Sequence, residues 1–249
     1  MEEALNKFIE YWKGKKYVEG ILLSGSYAVG LEKENSDIDI RLIFNSKNKK
    51  SIKGLTVIDG YIFSYLGRSI NSTKKKIGID FFNKNKFEAR IFSIGITLYD
   101  KNKNTEKLIE IAKTYFNTPF IKKEISIEEI KTNMYALYSS KFFLESLPEN
   151  SSFFIYHYYN FLRQSIRFYS VFIGYEFFIE SKIEKILTDK IYREIYSWRE
   201  FPDQNFIKIW IECLEYNNIS KDSIVLIYCY LEKLIVKIDE KKFTISWYE

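Results

Sequence analysis

Apolar positions along the chain follow two regimes, short alternating runs in the first half and helical spacing in the second. Leu5, Phe8, Ile9 and Trp12 recur at intervals of three and four, which predicts an amphipathic helix over residues 1–16. Val18 to Leu23 is a short apolar strand, and Asp37 to Phe44 alternates as a neighbouring strand would. Leu55 to Ile58 and Tyr61 to Leu66 flank Asp59-Gly60, a dipeptide suited to a type I′ turn, so a hairpin is expected there. Ile96 to Tyr99 reads as a last strand, and Thr105 to Phe116 as a helix closed off by Pro119.

From Ser126 the period becomes that of a helix. Ser126-Ile127-Glu128-Glu129 has the form of a capping box, and Ile127, Ile130, Met134, Leu137, Tyr138 and Leu144 follow on one face. Further helices are predicted over about 152–178, 182–198, 203–216 and 220–238. Strands first and helices after predict an α/β or α+β domain over residues 1–120, joined to an all-α helical bundle over residues 121–249.

Composition sharpens this only in places. At 249 residues, 46% hydrophobic and 29% charged, the chain belongs with ordered globular proteins. Twenty Tyr and 21 Phe against 3 Pro and 10 Gly predict cores built on aromatic rings. Apolar stretches such as Val171-Phe172-Ile173 and Ile224 to Val236 are interrupted by Glu176, Glu232 and Lys233, so no bilayer span is read. Met1-Glu2-Glu3 opens no secretory leader, and a cytoplasmic location is expected. Cys213 and Cys229 fit neither a zinc site nor a disulfide framework and are expected to be two buried free thiols.

Charge is unevenly divided, with a net +7 over residues 1–120 and −2 over the rest. A basic half around acidic residues suits a polyanion held through a metal, whereas an overall +5 does not argue for duplex binding. The runs Lys47 to Lys50, Lys74 to Lys76 and Lys101 to Lys103 read singly as solvated loops.

Candidate chemistry is concentrated in Ile21-Leu22-Leu23-Ser24-Gly25-Ser26-Tyr27-Ala28-Val29-Gly30 and the following Asp37-Ile38-Asp39-Ile40. Strand side chains repeat every two residues, so Asp37 and Asp39 are expected on one face, where they could bind ions together. Mg²⁺ takes one or two carboxylates and fills its octahedron with water and phosphate oxygens. At Gly25-Ser26, glycine lets the backbone approach phosphates closely, while N–H groups and the Ser26 hydroxyl can hold their oxygens. Two acids at alternate positions of a short strand repel one another and are disfavoured there, so a compensating cation is expected.

Gly25-Ser26 with Ala28 and Gly30, then Ser36-Asp37-Ile38-Asp39-Ile40, resembles the signature of the DNA polymerase β-like nucleotidyltransferase superfamily, in particular the branch of aminoglycoside, lincosamide and minimal nucleotidyltransferases. The specific likeness covers about residues 18–44, and a looser one reaches about residue 120. It implies an α+β fold, with an N-terminal nucleotidyltransferase-type mixed sheet and flanking helices followed by a C-terminal all-α bundle. It also implies Mg²⁺-dependent transfer of a nucleoside monophosphate from an NTP, with ATP expected, to a hydroxyl acceptor and release of pyrophosphate. Asp37 and Asp39 would be the catalytic, metal-holding pair for one or two Mg²⁺ ions, with Gly25 and Ser26 on the β and γ phosphates. Arg41 and Arg90 are nucleotide-binding candidates, the alternatives being a cross-strand ion pair for Arg41 and a surface arginine for Arg90. An antibiotic-like small molecule is the favoured acceptor, ahead of a protein side chain or an RNA end.

One departure stands out against the resemblance. A third carboxylate belongs on the strand after the hairpin, where this chain has Ser64, and a hydroxyl cannot replace a carboxylate at neutral pH. Asp59 is expected in the turn. Asp80, or Glu176 from the helical half, could supply an acid instead. The gap keeps a second reading open: a catalytically degenerate module that binds nucleotide, or a partner in a toxin–antitoxin or defence pair. The single histidine, His157, is expected to be a packing residue, and Tyr156, Tyr158, Tyr159, Phe161 and Phe168 are expected in the core.

Overall fold

The computed structural model describes residues 1–47, 50–120, 125–176 and 179–236. The chain is α+β and divides into two compact units, Met1–Phe120 and Ile121–Glu249. Two elements of the expected pattern run past the described residues: 177–178 at the end of the helix expected over 152–178, and 237–238 at the end of that expected over 220–238.

In the first unit, α1 (Glu2–Lys13) precedes β1 (Val18–Ser24), β2 (Ile38–Phe44), β3 (Ile52–Ile58) and β4 (Tyr61–Ser69). Then come α2 (Ile70–Phe82), α3 (Phe87–Ile94), β5 (Ile96–Asp100) and α4 (Asn104–Asn117). The five strands form one mixed sheet in the order β3-β4-β2-β1-β5. Pairing is antiparallel except between β2 and β4, which run parallel. The hairpin turn is as the dipeptide predicts, with positive φ at both Asp59 (50°) and Gly60 (81°). Asp59 is thereby a turn residue, and its carboxylate is 2.8 Å from Lys7 Nζ on α1.

Strand alternation sorts β2 between two cores. Ile38, Ile40, Leu42 and Phe44 pack with Ala4, Phe8 and Trp12 of α1, where Phe8 stacks on Phe63 at 4.8 Å. Ile43 turns to the other face, with Leu22 against Ile77 of α2, Phe92 of α3 and Leu108 of α4. The pattern of apolar positions did not announce α2 or α3. Their buried sides include Thr73, Asp80, Glu88 and Arg90, so apolar spacing does not mark the inward face. Lys74 to Lys76 accordingly lie on helix α2 and not in a loop.

The second unit contains α5 (Ile127–Ser146), α6 (Ser152–Phe172), a 3-10 turn at Glu180–Lys182, α7 (Ile183–Thr188), α8 (Lys190–Tyr196), α9 (Gln204–Glu212) and α10 (Lys221–Leu234). Ser126 caps α5 by accepting from the Glu129 amide at 3.0 Å. The single helix expected over 182–198 is broken at Asp189, whose carboxylate caps α8 through the Tyr192 amide at 2.9 Å. The core is aromatic: Phe154, Tyr158, Phe161, Phe206 and Trp210 are all buried. Two of its ring polar groups bond to backbone, Tyr158 donating to the Cys213 carbonyl at 2.7 Å and Trp210 Nε1 to that of Leu162 at 2.8 Å.

Some residues depart from expectation. Tyr156 and Tyr159 lie on the outward face of α6 and are exposed, while Tyr158, Phe161 and Phe168 are buried. Cys213 is buried but Cys229 is exposed. His157 stands edge-on to Phe143 at 4.9 Å between centroids, a packing role. Among the described residues no helix is long and apolar enough to cross a membrane.

Candidate active site

β1 and β2 meet where the chain first leaves the sheet. Ser24, the last residue of β1, pairs in register with Asp39, and its hydroxyl donates to the Asp39 carbonyl at 3.1 Å. The next residue, Gly25, turns with φ +68°, and a Cβ there would collide with the Asp39 carboxylate. Only glycine fits both the conformation and the space. Residues 25–30 form a tight turn in which the Val29 and Leu31 amides both donate to the Ser26 carbonyl, at 3.2 and 3.0 Å. Beyond it, the Lys33 amide donates to the Ser36 hydroxyl at 2.8 Å, which shapes the return to β2.

Asp37 is exposed immediately before β2, and Asp39 is partly buried as the strand's second residue. Across the parallel pair Asp39 is in register with Ser64 of β4. Ser24, Asp39 and Ser64 thus form one row across three strands. Two carboxylates at such a place suit Mg²⁺, and among the described residues no group of three or more acids, histidines or cysteines is disposed to hold a metal.

Arg41 lies one row further in, beside Leu22 and Leu66. Its partner is on a helix and not on a neighbouring strand: Arg41 Nε is 3.8 Å from Oε2 of Glu88, on α3. Arg68, on β4, donates to the other oxygen of Glu88 at 2.8 Å. Glu88 is only 3% exposed. Arg90, also 3% exposed, is not a surface residue, and its guanidinium lies over the Phe116 ring at 5.7 Å in the packing of α3 on α4. Asp80 is buried and paired with Lys76 on its own helix. Glu176 belongs to the second unit.

The structure therefore brings Gly25, Asp39, Ser24 and Ser64 together, with Arg41 one row behind. Glu88 escaped sequence reasoning because an acid inside an unannounced helix carries no sign of burial.

The profile of the polymerase β nucleotidyltransferase family matches residues 6–104. A Methanocaldococcus jannaschii protein named "Putative protein adenylyltransferase" is 34% identical over 93 residues, which are 37% of this chain and 93% of that protein. The chain belongs to the polymerase β-like nucleotidyltransferase family. A nucleotidyltransferase-like protein from Exiguobacterium sibiricum aligns over 94% of this chain and 74% of its own, at 13% identity and a TM-score of 0.46.

Proposed function

We propose that the chain moves a nucleoside monophosphate from an NTP, with ATP preferred, onto a hydroxyl and releases pyrophosphate. The observation that supports this reading is the close approach of Gly25 to the Asp39 carboxylate, which sets the turn proposed to hold phosphates beside the acid proposed to hold metal. Asp37 and Asp39 are the residues that would hold Mg²⁺, which would supply charge neutralisation to the triphosphate there. Gly25 presents backbone, and Ser26 a hydroxyl, to the terminal phosphates. Arg41 faces the same side of β2 as Asp39 and contributes positive charge there. Arg90 is left out of this reading because it is buried in the packing of α3 on α4.

For the acceptor, the name of the M. jannaschii relative supports a protein hydroxyl, which joins the small molecule as a class to assay. The full chain, Mg²⁺ and α-labelled NTPs are incubated with both acceptor classes. Pyrophosphate release and a labelled acceptor, both abolished by Asp39→Ala, are the expected result. Ser64 beside Asp39 favours a second reading, nucleotide binding without turnover. Retained binding with no pyrophosphate over the acceptor panel decides for it. A thermal shift that needs NTP and Mg²⁺ together is common to both, since a ligand of the native state raises stability; its absence with every NTP counts against both.

A further inference from the structure

Glu88 is a deeply buried charge beside the proposed site, and its surroundings are not those of an ordinary core ion pair. It is flanked by two arginines from adjacent strands, so the cluster carries a net positive charge. One oxygen is fully engaged by Arg68 at 2.8 Å. The other faces Arg41 Nε at 3.8 Å, too far for a hydrogen bond, and both of these atoms are buried without a hydrogen-bond partner. A buried donor and acceptor left unmade beside one another are costly, and such groups concentrate at functional sites.

The Arg41 side chain is 13% exposed, and its terminal amino groups are not among the sealed, unpartnered atoms. Among the described residues they have no hydrogen-bond partner. Arg41 and Asp39 share a sheet face and stand about 7 Å apart along the strand, a span comparable to an arginine side chain. A phosphate held at Asp39 is thus within reach of a cation that Glu88 restrains from behind.

We propose that Glu88 is a positioning residue for the nucleotide: with Arg68 it holds Arg41 so that the Arg41 amino groups meet a phosphate of the metal-bound triphosphate. This rests on the nucleotidyltransferase reading above. Calorimetry on the full chain, with a nonhydrolysable ATP analogue and Mg²⁺, compares wild type with Glu88→Gln, Glu88→Asp, Arg41→Gln and the Glu88→Gln/Arg41→Gln double variant. Glu88→Gln is expected to weaken binding about tenfold, the scale of one charge-assisted contact. Glu88→Asp should weaken it less. In the Arg41→Gln background the Glu88 change should add nothing, because Glu88 acts through Arg41. Circular dichroism establishes folding of each variant, and Glu88→Asp, which keeps the charge, decides the matter if Glu88→Gln does not fold. Wild-type affinity in a folded Glu88 variant, or losses that add in the double variant, overturns the assignment while leaving the nucleotidyltransferase reading intact. A wild-type chain that binds no nucleotide overturns both.

Discussion

Ser64 stands directly across the parallel β2–β4 pair from Asp39, in register and on the same face of the sheet. Replacing it by aspartate puts a second carboxylate on the neighbouring strand, about 4.8 Å away in the pairing direction. Without metal the two charges repel, and Ser64→Asp is expected to lose about 0.5–1 kcal/mol of stability. Mg²⁺ should restore it. Thermal melting of wild type and Ser64→Asp in EDTA and in Mg²⁺ checks this, and identical melts of the variant in both would mean that the row binds no cation. If a missing acid limits turnover, pyrophosphate release should rise in the same variant.

Gly25 and Gly30 share a φ of +68° but differ in what surrounds them. A side chain at Gly25 meets the Asp39 carboxylate, whereas at Gly30 nothing lies within 4 Å. Alanine at either position carries the strain of a left-handed backbone, about 1 kcal/mol at the low end. Only Gly25→Ala also displaces the carboxylate. Both variants should therefore melt lower than wild type, with nucleotide affinity lost in Gly25→Ala and largely kept in Gly30→Ala. Melting curves alongside a nucleotide titration separate the two effects.

Asp203 supplies the acid-sensitive element of the second unit. It caps α9 through the Phe206 amide at 2.9 Å and accepts from Tyr169 at 2.6 Å and Tyr230 at 3.0 Å. Burial alone would raise its pKa, but these hydrogen bonds together outweigh it and hold the carboxyl below its ordinary value. A depressed folded pKa stabilises the native state above the unfolded value of about 3.9, and this is lost as pH falls through the folded value. Asp203→Asn should cost about 1 kcal/mol at pH 7, because asparagine keeps the cap but loses the charge that strengthens the bonds from Tyr169 and Tyr230. Its melting temperature should then fall less steeply than wild type below about pH 4. Tyr230 gives the alkaline counterpart. Burial and its bond to Asp203 push its pKa up to about 12, so its contribution holds at neutral pH and fades as pH rises towards that value.

The two thiols should separate cleanly by reactivity. Cys229 is exposed, whereas Cys213 is buried and burial pushes its pKa up, which disfavours the reactive thiolate. One equivalent of a thiol reagent such as Ellman's should react promptly with the native chain, and a second only on denaturation. Cys229→Ser should remove the prompt equivalent.

Where apolar residues and burial coincide, the fold was legible. β1, β2 and the Asp59-Gly60 hairpin follow from alternation and turn chemistry, and α1 from the spacing of Phe8 and Trp12. Legibility failed where polar groups were the buried ones. Thr73 and Asp80 face inward on α2, and Glu88 and Arg90 on α3, so apolar periodicity does not mark either helix. It failed again at Asp189, where apolar spacing runs on through a break that a single carboxylate creates by capping the next turn. The candidate site divides in the same way. Gly25, Asp39 and the Ser64 departure lie in strands and turns whose register the sequence implies. The Arg41–Glu88–Arg68 cluster depends on a tertiary approach that spacing along one chain segment does not encode.

Gly25 has no side chain, and the Asp39 carboxylate occupies the space one would fill. Backbone and acid can therefore adjust only together. On the proposed reading, an ion that draws Asp39 towards itself would alter the ground on which the phosphates settle, and the phosphates in turn would alter the ion's. Thermodynamic reciprocity requires that the factor by which magnesium raises nucleotide affinity equal the factor by which nucleotide raises magnesium affinity. Because a divalent cation and a triphosphate attract one another, that common factor is expected to exceed one, with the protein answering to the two ligands jointly and weakly to either alone.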